Sequence, residues 1–255
     1  MSLSIRKWKL YVKMYYQYIL SYKGAQQATF LDDNTCLDFI IQNQKSFIRF
    51  GDGEFDILEG KSIHYQKFSV ELRERLDQIL TEYVESGTSA PYFIGMPAFY
   101  LNQSGKFMWH SRLLLSCWSH TRYYFLKYYD KKVKYGDAFL FSEGREPNYK
   151  RLWDNAHLGQ VIFVHNKKQY AEHFEKQYGI STTFIEIPSH NAFTQMDQIL
   201  IKIMASLRSK DKKSMVILSA GPCGKVLAYE LSKKGVWAVD TGHCWDQPLF
   251  NMSGD

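Results

Sequence analysis

The stretch Ser46-Phe47-Ile48-Arg49-Phe50-Gly51-Asp52-Gly53-Glu54 joins a short apolar run to two carboxylates that are flanked by glycines. Aromatic and β-branched residues favour a buried strand, and the glycines predict a sharp exit from it. Asp52 and Glu54 are therefore expected at the carboxyl end of a strand. Hard carboxylate oxygens suit Mg²⁺ or Mn²⁺, which bridge to substrate phosphates. The alternative is a surface turn with two solvated acids.

Strand-like and helix-like segments alternate along the rest of the chain. The predicted strands are 92–95, 138–141, 161–164, 183–187, 215–218 and 236–239, and the predicted helices are 70–84, 107–129, 148–156, 168–178, 193–207 and 223–234. Such alternation predicts an α/β fold, with a mostly parallel sheet and helices on both faces. Ligands of such sheets bind at the carboxyl ends of the strands, where the polar clusters of this chain are expected to lie.

Length and composition favour one large domain, because 255 residues with 45% hydrophobic content can bury a sizeable core. The sequence shows neither a run of about 18 apolar residues nor a signal peptide with a cleavage site. Its four cysteines are scattered without a Cys-x-x-Cys pair, which is typical of reduced thiols. These features predict a cytoplasmic location.

The net charge of +6 is concentrated at one end of the chain. Residues 1–31 contain five basic residues and no acid, and the remainder has 27 basic against 26 acidic residues. A nucleic-acid-binding protein usually carries its basic surplus as a patch on the folded domain, so no nucleic acid partner is expected.

Residues 1–24 are predicted to form a basic, aromatic, amphipathic helix that precedes a single domain over residues 25–255. Apolar residues recur at steps of three and four, beside a stripe of cations. The apolar positions are Ile5, Trp8, Val12, Tyr15, Ile19 and Tyr22. Such a helix suits the anionic inner face of the plasma membrane, and the alternative is packing on the body of the protein or on a second subunit.

Three further clusters follow predicted strands. The turn 219–225 offers the backbone amides near Gly221 to an anion or a ribose, whereas Lys225 is as readily solvated as bound to phosphate. Asp240 and His243 present a carboxylate and an imidazole three residues apart, which suit a metal ligand, a ribose contact, a general base, or merely a helix cap and a structural histidine. Asn191 is suited to a nucleobase or sugar contact, or to capping the next helix.

Five segments stand in the order seen in the bacterial GT-D glycosyltransferases, once known only as a domain of unknown function. The segments are Arg49 to Glu54, Ser142 to Arg145, Pro188 to Phe193, Gly221-Pro222 with 227–232, and Asp240 to His243. The chain resembles that family over roughly residues 30–246. It departs from the usual Leu-Gly-Pro-Thr-Ala pattern at residues 220–224 and has Cys244-Trp245-Asp246 in place of an aliphatic-acid pair.

The resemblance implies a Rossmann-like transferase that moves a hexose from UDP-glucose or UDP-galactose with the help of Mn²⁺ or Mg²⁺. The metal ligands would be Asp52 and Glu54, and Asp240 or His243 would be the general base if the reaction inverts. The donor contacts would be Arg49, Gly51, Gly53, Arg145, Asn191, Gly221 and Pro222.

The acceptor implied is a glycan, either lipid-linked or carried by a surface protein, as in surface polysaccharide or glycoprotein assembly. The aromatic residues of the predicted helix 107–129 form either core or a sugar-stacking surface. Two other functions remain open from sequence. A nucleotide-sugar hydrolase would use the same acidic turn without an acceptor, and a non-catalytic membrane-associated scaffold would bind no nucleotide.

Overall fold

In a computed structural model of the protein, the residues described are 5–25, 27–110, 112–128, 130, 132–142, 144–155, 157–207, 213–242 and 244–245. Eight strands form one sheet in the order β1-β4-β3-β2-β8-β7-β5-β6. Every strand pair is parallel. The strands are β1 (Thr29–Phe30), β2 (Ser46–Arg49), β3 (Tyr92–Met96), β4 (Lys134–Asp137), β5 (Gln160–His165), β6 (Thr182–Glu186), β7 (Ser214–Leu218) and β8 (Ala238–Asp240).

Eleven α-helices within these ranges connect and cover the strands. They are α1 (Ile5–Leu20), α2 (Asp33–Asn43), α3 (Asp52–Leu58), α4 (Val70–Ser86), α5 (Ala98–Asn102), α6 (Gly105–Trp109), α7 (Arg112–Tyr128), α8 (Glu146–Asn155), α9 (Lys168–Tyr178), α10 (Met196–Ser206) and α11 (Pro222–Lys233). Short 3₁₀ turns occupy Gly87–Ser89 and Ala192–Gln195.

The predicted Rossmann-like α/β architecture is confirmed. The inner strands β3 and β5 are buried along their whole length, as expected where helices cover both faces of a parallel sheet. Among the described residues, no helix combines the length and the apolarity needed to cross a bilayer. The predicted amphipathic helix at the N-terminus is also present, as α1.

The predicted strand over 138–141 is wrong. The strand ends at Asp137, whose Oδ1 accepts a hydrogen bond from the backbone N–H of Phe139 at 3.1 Å and turns the chain. The apolar residues that follow are therefore a turn, and Leu140 and Phe141 are buried in it. Burial without a ladder partner produced the same hydrophobic pattern as a strand.

The acidic stretch after β2 is the start of a helix. Gly51 is the N-cap residue of α3, and Asp52 and Glu54 lie in its first turn. Acidic side chains are favourable there because the helix dipole places partial positive charge at the N-terminus. The sequence pattern also missed α2 and the two-residue strand β1, and the predicted helix 107–129 is divided into α6 and α7.

The chain order of the sheet reverses between β2 and β8. From β2 the chain proceeds through β3 to β4 on one side, while β8 is followed on the other side by β7, β5 and β6. Phe47 pairs with Val239 across this junction. Open parallel sheets bind ligands in the crevice at such a switch point, so the topology directs attention to the residues just after Arg49 and around Asp240.

Candidate active site

A cavity of about 430 Å³ opens at the carboxyl ends of β2, β5, β7 and β8. Its size falls in the range of ligand pockets, roughly 300–1,000 Å³. It is lined by residues 49–54, Tyr65, Gln66, Trp118, Ala138, Phe139, 165–167, 187–189, Ala192, 219–221, Lys225 and Gly242. Residues of the acidic stretch and of the turn 219–225 thus meet in this cavity, and Gly242 reaches it from the stretch after Asp240.

Lys225 joins the acidic stretch after β2 to Asp240 at the end of β8. Its Nζ lies 3.2 Å from Oε1 of Glu54 and 3.1 Å from Oδ2 of Asp240. The lysine is only 5% exposed, which excludes the solvated alternative that the sequence left open. Burial by itself would lower the pKa of Lys225, but Asp240 and then Glu54 raise it above its ordinary value. The ammonium therefore stays charged and holds the two strand ends together.

The two acids of the quoted stretch have different surroundings. Glu54 is buried; its Oε2 accepts a hydrogen bond from the backbone N–H of Gly51 at 2.8 Å, and its Oε1 faces Lys225. Asp52 is exposed at the rim of the cavity. Partial desolvation there, followed by the charge of Glu54, raises the pKa of Asp52. Asp52 is thus the carboxylate of this pair that a ligand can reach directly.

These carboxylates fit one type of metal site. Within the described ranges, no group of three or more His, Cys, Asp or Glu side chains is placed to hold an ion. Mg²⁺ and Mn²⁺ need no such cage when substrate phosphates and water complete their coordination. Asp52 fits that arrangement as it stands. Glu54 can join it only by exchanging Lys225 for the metal, so its predicted ligand role stays a prediction.

Arg49 lines the cavity beside β8. Its Nη1 donates to the carbonyl oxygen of Ala138 at 2.8 Å, and its Nε lies 3.8 Å from Oδ2 of Asp240. The guanidinium lies directly over Gly242, where a Cβ would overlap it. Gly242 also has a φ of 58°, in the left-handed region that favours glycine. The glycine after Asp240 therefore makes room for the arginine at the cavity.

Asp240 is unsuited to the general-base role that the resemblance implied. The residue has no exposed surface and does not line the cavity. Its Oδ1 accepts from the N–H of Gly242 at 3.1 Å, and its Oδ2 accepts from the N–H of Arg49 at 3.3 Å while facing Lys225. A carboxylate engaged in this way organises the strand ends. The second candidate base, His243, lies outside the described residues.

The turn before α11 reaches the cavity through Gly221, as predicted from its glycines. Gly221 has a φ of 54°, and a Cβ there would meet the ring of Tyr65 at 2.6 Å. Pro222 is the buried first residue of α11 and does not line the cavity. Burial, and then the charge of Glu54, raise the pKa of Tyr65 to about 12, so this hydroxyl stays protonated over the turn.

Besides Pro222, two further predicted donor contacts lie away from the cavity lining. Arg145 donates to Oδ1 of Asp33 at 3.0 Å and to Oδ2 of Asp137 at 2.7 Å, so its charge ties α2 to the end of β4. Asn191 accepts from the N–H of Lys67 at 2.8 Å through its side-chain Oδ1. It therefore fixes the segment between α3 and α4 that carries Tyr65.

Sequence reasoning missed one wall of the cavity and left another, Trp118, open between core and a sugar-stacking surface. His165 ends β5 and is followed by Asn166 and Lys167, and the strand-end rule could have found all three. Trp118 comes from α7 and stacks on Tyr100, with ring centroids 4.0 Å apart and planes 9° apart. Nothing in the helical pattern of α7 distinguishes this aromatic residue from those that face the core.

The family described as "Glycosyltransferase GT-D fold" matches residues 47–248. The chain belongs to this glycosyltransferase family. Two curated relatives agree: the probable glycosyl transferase Gly of Streptococcus gordonii, 25% identical over 86% of the chain, and the glycosyltransferase GlyD of Streptococcus pneumoniae serotype 4 (strain ATCC BAA-334 / TIGR4), 23% identical over 81%. The chain spans 32% and 26% of the lengths of these relatives.

Solved structures agree with the GT-D fold of this chain. One, described as the highly conserved domain of unknown function 1792 with a distinct glycosyltransferase fold, aligns with a TM-score of 0.68 at 23% identity. That alignment covers 96% of this chain and 86% of the other. A second, a new glycosyltransferase (DUF1792) from Streptococcus sanguinis, aligns with a TM-score of 0.65 at 25% identity over 88% of this chain and 85% of the other.

Proposed function

We propose that this GT-D glycosyltransferase moves a hexose from UDP-glucose or UDP-galactose to a glycan acceptor in bacterial surface polysaccharide or glycoprotein assembly. The observation that carries the proposal is the composition of the cavity at the sheet's switch point. Cations and a helix N-terminus line one part of it, and the accessible carboxylate of Asp52 lines another. A nucleoside diphosphate attached to a sugar needs both kinds of group.

The diphosphate is assigned to the cationic part. Lys167 is exposed where it lines the cavity, and the partly buried Arg49 lines the same cavity. The helix α11 begins at Pro222 directly after the cavity-lining Gly221, and the N-terminus of a 12-residue helix favours anions. These three features would stabilise the negative charge that builds on the leaving nucleotide.

A divalent cation is assigned to Asp52, with Glu54 as its predicted second ligand. When bound, Mn²⁺ or Mg²⁺ would act as a Lewis acid on the diphosphate oxygens. The protein's own contribution is to hold Asp52 at the rim, which it does through the first turn of α3 and the Glu54–Gly51 cap. The acceptor hydroxyl would attack the anomeric carbon while the bond from that carbon to the phosphate oxygen breaks and UDP leaves. The hydroxyl proton would pass to a base, for which His243 stays the predicted candidate if the reaction inverts.

We place this chemistry in the cytoplasm. Cys36, Cys223 and Cys244 are buried cysteine thiols, and Cys117 is a partly exposed one. Free thiols suit a reducing compartment.

A thermal-shift panel tests the donor and the metal together, because a ligand that binds only the folded state raises the melting temperature. We expect UDP and UDP-hexoses to raise it more with Mn²⁺ than without. Lys167→Ala should weaken the shift, whereas Lys168→Ala should not, since Lys168 pairs with Glu172 on the surface at 2.9 Å. A panel without response to any nucleotide would contradict the proposal.

Transfer itself is tested with Asp52→Asn. We expect a loss of about a hundredfold or more in transfer, because the variant removes charge at the diphosphate. The melting temperature should stay close to that of the wild type, because Asp52 is exposed. Asp56→Asn is the control, since Asp56 lies on the same helix outside the cavity lining and pairs with Lys61.

Product analysis separates transfer from hydrolysis. With a glycan acceptor present, the sugar should appear on the glycan; release of free hexose at an unchanged rate with and without acceptor would assign a hydrolase instead. Near-normal transfer by Asp52→Asn would remove the metal assignment while leaving the donor site to be judged by the thermal-shift panel.

A further inference from the structure

The helix α1 is attached to the protein by its polar side. Gln17 of the helix and Ser21 just after it are buried against the body, and Gln17 donates to Oε1 of Glu59 at 3.0 Å. The hydroxyl of Tyr18 donates to the carbonyl oxygen of Gly105 at 3.1 Å, and Arg122 of α7 donates to the carbonyl oxygens of Ser21 and Tyr22. Hydrogen bonds at the three- and four-residue spacing thus hold the helix to α3, α6 and α7.

The apolar side of α1 faces away from the body. Trp8 is 63% exposed and Ile19 is 66% exposed. The other exposed large apolar residues of this segment are Leu10, Tyr11, Val12, Tyr15, Tyr16, Leu20 and Tyr22. Of the two placements left open by the sequence, the helix does pack on the body. Tyr15 and Tyr22 of the apolar stripe contact Trp109 and Gly105, whereas Trp8, Val12 and Ile19 stay exposed. An exposed apolar surface of this extent marks an interaction site.

A second exposed aromatic group continues this surface toward the cavity. Tyr15 contacts Trp109 of α6, with ring centroids 5.9 Å apart, and Trp109 is largely exposed. Phe107 on the same short helix contacts the exposed Phe99 at 5.7 Å. Phe99 in turn contacts Tyr100, which stacks on the cavity residue Trp118. We call the exposed large apolar residues between Trp8 and Tyr22, together with Phe99, Phe107 and Trp109, the aromatic face.

The charge around the aromatic face identifies its partner. Residues 1–31 carry five cations and no acid. Lys9 and Lys23 are exposed beside the apolar residues. Trp and Tyr next to Lys, without acids, suit the region between lipid headgroups and acyl chains, where aromatic rings lie and anionic lipids attract cations. A second copy of the chain would bring the same cations against each other.

We propose that the aromatic face binds the surface of an anionic bilayer. The helix α1 lies in the plane of the membrane with its exposed apolar residues among the acyl chains, and Lys9 and Lys23 lie at the headgroups. Because the aromatic face continues to Trp118, bilayer binding would place one wall of the cavity near the membrane, where a lipid-linked acceptor is held. Membrane binding does not depend on the proposed transfer reaction, and the two are tested separately.

Co-sedimentation of the full chain with vesicles tests the proposal. We expect binding to phosphatidylcholine vesicles that contain phosphatidylglycerol, and roughly tenfold weaker binding to phosphatidylcholine alone or at high salt. Trp8→Ala with Ile19→Ala should weaken binding to the anionic vesicles by about tenfold or more, because two large apolar contacts are lost. Lys9→Gln with Lys23→Gln should have a similar effect at low salt only.

The helix α10 offers matched controls. Ile201 is 68% exposed and Lys202 is exposed beside it, and α10 contains no aromatic residue. Ile201→Ala and Lys202→Gln should leave vesicle binding unchanged, which separates local insertion from general stickiness or total charge.

Two results would overturn the proposal. One is equal, salt-independent sedimentation of the wild type and all variants. The other is absence of vesicle binding together with a dimer in analytical ultracentrifugation that Trp8→Ala with Ile19→Ala dissociates, which would assign the aromatic face to a second copy. Either result leaves nucleotide-dependent thermal shifts unaffected, so failure here is distinct from failure of the proposed function.

Discussion

The crevice between β2 and β8 and the helix α1 place their side chains in opposite ways. In the crevice, three charged groups are buried: Lys225, Glu54 and Asp240. On α1, large apolar groups such as Trp8 and Ile19 are exposed. Burial costs the first set free energy unless each charge is paired, and exposure leaves the second set without the gain that apolar burial provides.

The difference predicts how strongly substitutions in the crevice and on α1 change the free energy of unfolding. The charged groups of the crevice are compensated by one another, so removing one of them should be costly. Trp8 and Ile19 of α1 are mostly exposed, so removing these side chains should cost the folded state little. Substitutions of the crevice charges are therefore expected to lower stability strongly. Substitutions of Trp8 or Ile19 are expected to change binding more than stability.

The largest effect is expected for Lys225→Met. The variant leaves two carboxylates buried without their cation, which should lower the free energy of unfolding by about 3–5 kcal/mol. Urea denaturation measures this. Lys233→Met is the control, because Lys233 pairs with Glu82 on the surface at 3.3 Å and an exposed pair contributes roughly 0–1 kcal/mol. Equal losses in the two variants would mean that the crevice charges are solvated.

The free energies of unfolding of the wild type and of Lys225→Met should respond differently to alkaline pH. Asp240 and Glu54 raise the pKa of Lys225, so the wild-type contribution is complete below the ordinary lysine pKa of about 10.4 and is lost as the pH rises through the higher folded value. The difference in unfolding free energy between wild type and Lys225→Met should narrow above that pH. A difference that widens would reverse the assigned sign of the interaction.

A smaller effect is expected for Gly242→Ala. Its positive φ should cost about 1–2 kcal/mol, and the new methyl group should displace the Arg49 guanidinium and weaken the nucleotide-induced thermal shift. Gly179→Ala is a close control, because Gly179 has a φ of 64° and open space around it. It should lose similar stability and keep the nucleotide response.

The smallest effect on stability is expected on α1. Trp8→Ala and Ile19→Ala should each change the free energy of unfolding by less than about 0.5 kcal/mol, as surface substitutions usually do. Ile203→Ala, at a buried position of α10, should cost about 2–5 kcal/mol. A comparable loss at Trp8 would show that the aromatic face is packed in solution and would remove the contrast with the crevice.

Much of the fold could be predicted because it rests on local periodicity. The alternating pattern predicted β2, β3, β5 and β7 within two residues of their ends. The errors have local causes of another kind. Residues 138–141 are apolar because a turn is buried, and α3 was read as a turn because its first residues are two glycines and two acids.

The site was predictable only in outline. The strand-end rule located Arg49, Asp52 and Gly221 at the cavity and would have located Lys167. It could not show that Arg145 is paired with Asp33 and Asp137, since that pairing joins α2 to the end of β4, more than a hundred residues apart in the case of Asp33. The partners of a charged side chain depend on long-range packing, which local patterns do not contain.

The sequence by itself determined the parallel α/β class, the acidic stretch after β2 and the amphipathic character of α1, because each depends on the spacing of neighbouring residues. The tertiary structure alone decided that Lys225 lies between Glu54 and Asp240 and that α1 turns its apolar side outward. The physical reason in both cases is packing between residues that are far apart in the sequence. A strand order brings residues 54, 225 and 240 together, and a helix with two usable faces is oriented by the hydrogen bonds that its neighbours offer.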